Sequence, residues 1–140
     1  VPVETRPAVI LVVADEDAVN ELITRYLRHL GYRVLEVASA AEALDVVQSR
    51  RPRVDMVLSD LSTPDLDGVT LAGRILARCP GPSVILMSRR LTVDSERLRI
   101  NGQIVPILRK PLDLDRLQSL LRVTLEGFPE NADDLLHLAG

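Results

Sequence analysis

Residues 8–14 read Ala8-Val9-Ile10-Leu11-Val12-Val13-Ala14 and run directly into Asp15-Glu16-Asp17. The apolar run does not alternate with polar residues, as a half-solvated strand would. It suits a strand covered on both faces, the kind found in parallel α/β sheets. Three acids follow at once, so negative charge collects where that strand ends. Met56–Ser59, Ser83–Met87 and Val105–Leu108 have the same continuous character. Arg33–Val37 is a weaker fifth strand, expected at a sheet edge.

Helical patterns separate these runs. Val19, Leu22, Ile23, Tyr26, Leu27 and Leu30 recur at i, i+3, i+4 and i+7, and Gly31 supplies a stop. Ser39-Ala40-Ala41-Glu42 is a capping box that opens a helix through Gln48. Val69 to Arg78 reads as a third helix, halted by Pro80-Gly81-Pro82. Asp113 caps a last one through about residue 125, with Leu114, Leu117 and Leu121 inward. Between Arg90 and Asn101 the apolar residues form no stripe, and a short, loosely held fourth helix is expected. Strands alternating with helices give the α/β class: a (βα)5 doubly wound, five-stranded parallel sheet with right-handed crossovers. The domain is expected over 8–125, with an N-terminal extension at 1–7 and a tail or linker at 126–140.

Composition bounds the function. At 140 residues the chain is one domain, and 46% apolar with 26% charged residues reads as globular and soluble. No apolar run is long enough to cross a bilayer, and no signal peptide is evident. Cys79 is the lone cysteine, which fits a reducing cytoplasm. The net charge is −3 and the basic residues are scattered, so neither a nucleic-acid face nor a membrane patch is expected.

Parallel sheets place their sites at the carboxyl ends of the strands. Here those ends carry Asp15, Glu16 and Asp17, then Asp60, then Ser88, then Arg109-Lys110. Lys110 is the only lysine among 17 basic residues. Each residue has an ordinary reading. Acids favour a helix N-terminus, Asp60 suits a turn before Pro64, and Ser88 can simply end a strand. Lys110 can be a surface lysine. Their coincidence at four strand ends argues for a site. Neighbouring carboxylates repel unless a cation bridges them, and Mg²⁺ suits oxygen ligands. An aspartate there can attack a phosphoryl group, with metal and lysine stabilising the transferring oxygens.

Ile10-Leu11-Val12-Val13-Ala14-Asp15-Glu16, Asp60-Leu61-Ser62-Thr63-Pro64 with Asp67-Gly68, Ile85-Leu86-Met87-Ser88 and Lys110-Pro111 resemble the receiver domain of two-component response regulators. The similarity runs from residue 8 to about 125, and the later blocks look most like C-terminal receivers of hybrid histidine kinases. The resemblance implies a flavodoxin-like strand order, 2-1-3-4-5. It implies Asp60 as phosphoacceptor, served by a histidine kinase or histidine phosphotransfer protein. Mg²⁺ would be held by Asp15, Asp60 and the Ser62 backbone carbonyl. Ser88 and Lys110 would contact the phosphoryl group, and the Lys110-Pro111 peptide would be cis. The resemblance further implies self-assisted phosphoryl transfer and dephosphorylation without a separate enzymatic activity, and a homodimer face of helix 4, strand 5 and helix 5.

Three positions depart from the family pattern. Ala14 stands where a second acid is usual, so Mg²⁺ binding is expected to be weak, with Glu16 as a compensating ligand. Arg89 replaces a small residue, and Ile107 replaces the usual aromatic switch. These departures define the alternative, a phosphorylation-independent pseudo-receiver that binds proteins. An aspartyl phosphatase fits poorly because Ser62 stands where a second catalytic acid is needed. An FMN binder fits poorly because no Ser/Thr/Gly-rich loop follows the first strand.

Overall fold

The computed structural model describes residues 6–14, 18–89 and 95–126. In chain order the elements are β1 (Val9–Val13), α1 (Ala18–His29), β2 (Arg33–Val37), α2 (Ala40–Ser49), β3 (Met56–Asp60), α3 (Gly68–Arg78), β4 (Ser83–Ser88), β5 (Ser95–Ile100), β6 (Gln103–Arg109) and α4 (Leu114–Glu126). They build one six-stranded sheet in the order β2-β1-β3-β4-β6-β5. The first five of these strands run parallel, which is the expected doubly wound α/β arrangement.

Every residue of β1 is buried because helices cover both faces of the sheet. Val9, Leu11 and Val13 join a cluster with Ala43, Val47, Leu71 and Ile75, from α2 and α3. Ile10 and Val12 point the other way, into a cluster with Ile23, Leu27, Leu117 and Leu121, from α1 and α4. Burying one such aliphatic side chain contributes about 1.5–3 kcal/mol, so the central strand holds both layers together. Local signals set the helix ends. Ser39 accepts from Glu42 N at 3.2 Å, and Asp113 Oδ1 accepts from Asp115 N at 3.0 Å and Arg116 N at 3.2 Å. Gly31 takes φ of 100° where α1 ends. Leu22, expected on the inner face of α1, is 56% exposed.

The expected fourth helix is overturned for residues 95–100. They form β5, antiparallel to β6, which adds a sixth strand to the expected five. Residues 90–94 lie outside the described residues. The cause is the turn chemistry of Asn101-Gly102. Both residues have positive φ, 49° and 78°, and Ile100 pairs with Gln103 across them. This is the two-residue loop that asparagine-glycine favours, because its twist matches the twist of the flanking strands. The Asn101 side chain also donates to the Gly73 carbonyl at 2.7 Å, tying the turn to α3. Along β5, Leu98 and Ile100 pack into the α2/α3 layer, while Arg97 and Arg99 are exposed. Charged side chains on an edge strand discourage pairing with another chain. On the face implied for a homodimer, β5, rather than a helix, therefore lies beside β6.

The turn is open to test. Ala at position 102 would be strained at positive φ, although nothing lies within 4 Å of its Cβ. Gly102→Ala should cost about 1–2 kcal/mol in urea unfolding. A helix spanning this segment gives the opposite sign, since alanine favours helix over glycine, so a gain in stability would contradict the hairpin.

Candidate functional site

Strand register brings the site together. Asp60 is the last residue of β3 and sits opposite Met87; Ser88 ends β4 opposite Arg109, and Lys110 follows β6 directly. Backbone bonds continue to this level, from Leu61 N to Met87 O at 2.7 Å and from Lys110 N to Ser88 O at 2.9 Å. Asp60, Ser88 and Lys110 therefore stand on adjacent chains of a rigid scaffold.

The Lys110 side chain is only 3% exposed. An ammonium taken out of water this far needs a counter-charge and acceptors for its N–H groups. Its Nζ lies 2.5 Å from Asp60 Oδ1 and donates to Asn20 Oδ1 at 2.7 Å. The Asp60 side chain is 17% exposed, so its carboxylate is held from below by the lysine and reachable from outside. Ser88 is buried, and Arg89 beside it is exposed.

The loop after Asp60 is braced at several points. Ser62 and Asp67 form an isolated antiparallel bridge, and Gly68 N donates to Leu61 O at 2.6 Å. Gly68 lies so close to the end of β3 that a Cβ would fall 2.6 Å from Asp60 O and 2.9 Å from Leu61 Cα. Asp65 accepts from Ala40 N at 2.9 Å and Ala41 N at 3.0 Å, satisfying amides that the first turn of α2 leaves without helical partners. Asp67 caps α3 through Thr70 N and Thr70 Oγ1, both at 2.8 Å. Hydrogen bonds from Ala40 and Ala41 hold the Asp65 carboxyl below its ordinary value, and those from Thr70 do the same for Asp67.

Other expected site residues fall as follows. Asp15 and Glu16 lie outside the described residues. Ala14 donates from its backbone N to Val37 O at 3.1 Å, and its methyl packs against the α1/α4 layer. The Lys110–Pro111 peptide bond is cis. Ile107 is buried with Leu98, Ile100 and Val105. It opposes Glu96 of β5, so its neighbour on this side is a strand. Asn20 was not foreseen. Its signal was spacing: it shares the i, i+3, i+7 register with Ile23 and Leu27, and a polar residue on a buried helical face calls for a partner.

Among the described residues no group of three His, Cys, Asp or Glu side chains is placed to hold a metal ion. Asp60 supplies a hard oxygen donor of the kind Mg²⁺ prefers, with the Ser62 carbonyl in the loop that follows.

The description of the response regulator receiver domain matches residues 10–122. This chain belongs to that family. The receiver is 31% identical over 129 residues to the transcriptional regulatory protein GlrR of Escherichia coli K12, covering 92% of this chain and 29% of GlrR. It is 33% identical over 127 residues to the sensor kinase CckA of Brucella abortus, covering 85% of this chain and 13% of CckA. The chain thus spans less than a third of the length of these relatives. Among solved structures, it resembles the receiver domain of sensor histidine kinase PA1611 from Pseudomonas aeruginosa PAO1. The TM-score is 0.67 with 28% identity, covering 86% of this chain and 99% of that one, and that structure has a magnesium ion coordinated in its active-site cleft. The receiver is a signalling domain of two-component systems, and no finding favours the pseudo-receiver alternative. Because GlrR is named as a transcriptional regulator, the expected absence of a nucleic-acid partner has no support. No helix among the described residues is long and apolar enough to cross a membrane.

Two outcomes follow from the loop. Gly68→Ala should lower stability by about 1–3 kcal/mol, because the clash is with backbone at Asp60 and Leu61; unchanged urea unfolding would show that the loop yields freely. The depressed Asp65 and Asp67 carboxyls contribute stability that is present above the ordinary value of 3.8 and lost as pH falls through their lower folded values. Thermal melts across acid pH should show this loss, and Asp65→Asn with Asp67→Asn should make it shallower.

Proposed function

We propose that Asp60 accepts a phosphoryl group from a phosphohistidine of a histidine kinase or histidine phosphotransfer protein. The observation that supports this most directly is the partly exposed Asp60 carboxylate, backed by the buried Lys110 ammonium at 2.5 Å. A carboxylate oxygen of Asp60 attacks phosphorus, the P–N bond breaks, and its electron pair returns to the imidazole, which takes a proton from solvent. The product is an acyl phosphate. Hydrolysis by water at phosphorus then regenerates the Asp60 carboxylate and releases inorganic phosphate. Lys110 neutralises charge on the transferring oxygens, where fixed charge is most effective. Ser88, buried at the end of the adjacent strand, is the hydroxyl assigned to the same oxygens. Mg²⁺ bound near Asp60 adds further charge neutralisation; Asp60 and the Ser62 carbonyl would hold it, with Asp15 and Glu16 as the remaining ligands.

This unit is assigned to 8–125, flanked by 1–7 and 126–140, as the receiver of a longer signalling protein such as a hybrid histidine kinase. The similarity to CckA and to the PA1611 receiver supports that placement.

Incubation with a small acyl-phosphate donor and Mg²⁺ should add one phosphoryl group, detected by intact-protein mass spectrometry, and Asp60→Asn should remove the label. Equal labelling of the variant would exclude Asp60 as the acceptor.

A further inference from the structure

We infer that Asn20 is a positioning residue for the phosphoryl-transfer site, acting through Lys110; this rests on the proposed function. The Asn20 residue is 4% exposed, three residues into α1, and its Oδ1 accepts from Lys110 Nζ at 2.7 Å in a buried hydrogen bond. The side-chain orientation follows from chemistry, since an ammonium offers donors only and must meet the amide oxygen. A lysine head on a flexible four-carbon stem, held by one acceptor, swings about that contact. A second acceptor on a different element fixes it. Asp60 on β3 and Asn20 on α1 together pin the ammonium of a residue that follows β6.

Position 14 contributes no anchor of this kind. Ala14, directly after β1, carries a methyl and has no side-chain acceptor to offer the lysine. Asn20 supplies one and is neutral. A carboxylate in its place would oppose the ammonium charge and weaken its pull on the transferring oxygens. An amide satisfies an N–H of Lys110 without drawing on that charge. Asn20 also shares its helical face with Ile23 and Leu27, which are fully buried against the sheet, so its own position is set by core packing.

The test is a double-mutant cycle between positions 20 and 110, read in phosphorylation by a small acyl-phosphate donor and in thermal unfolding. Asn20→Ala and Asn20→Leu, the latter filling the same space without an acceptor, should each slow phosphorylation about tenfold while the Mg²⁺ half-saturation stays unchanged. In a Lys110→Ala background neither should slow it further. Equal slowing in both backgrounds, or no slowing in the parent, overturns the inference. If the parent accepts no phosphoryl group from any donor, the proposed function fails, and the cycle is then read from stability alone. Non-additive losses for positions 20 and 110 sustain the anchor, and additive losses overturn it.

Discussion

The contact on which the site depends is the buried ammonium of Lys110, shared between Asp60 Oδ1 and Asn20 Oδ1. A charge this far from water is tolerated only where acceptors meet it. The fold provides them from α1 and β3, two elements far apart in the chain. Their positions are fixed by the two apolar layers on either face of the sheet. The ion pair is thus a consequence of the core: strands β3, β4 and β6 stay hydrogen-bonded up to the residues that bear the chemistry.

The loop following Asp60 is held by a second set of contacts. Asp65 reaches across to the first turn of α2, Asp67 caps α3, and Gly68 packs against the backbone of Asp60 and Leu61. Each of these is polar or steric, and Asp65, Asp67 and Gly68 all lie within eight residues of Asp60. They connect Asp60 to the helices of one face. Lys110 connects it, through Asn20, to α1 on the other. A change in charge at Asp60 would therefore reach contacts with both layers.

The edge of the sheet beyond β6 is where this chain goes its own way. The antiparallel β5 replaces the expected helix, closed by Asn101-Gly102 and guarded by Arg97 and Arg99. Ile107 consequently lies between strands and under aliphatic side chains, a setting in which it serves as packing. The surface presented beside β6 is a flat, arginine-bearing strand, so a partner at this edge meets a different shape and charge from a helix.

The sequence by itself determined the parallel sheet, because unbroken apolar runs such as Val9–Val13 have no stable place except between two layers. It also marked the capping of α2 and α4 and the strand ends that carry Asp60, Ser88 and Lys110. The hairpin was legible in Asn101-Gly102 and in the alternation of Arg97, Leu98, Arg99 and Ile100, but helical alternation elsewhere in the chain masked that short-range signal. Which partner the lysine takes is set by packing across the sheet. Asn20 and Lys110 are 90 residues apart. Nothing in their local patterns fixes a distance between them. The contact exists because α1 packs on the face of the sheet where Leu108 of β6 is buried, and burial there leaves the ammonium with the acceptors that happen to be within reach.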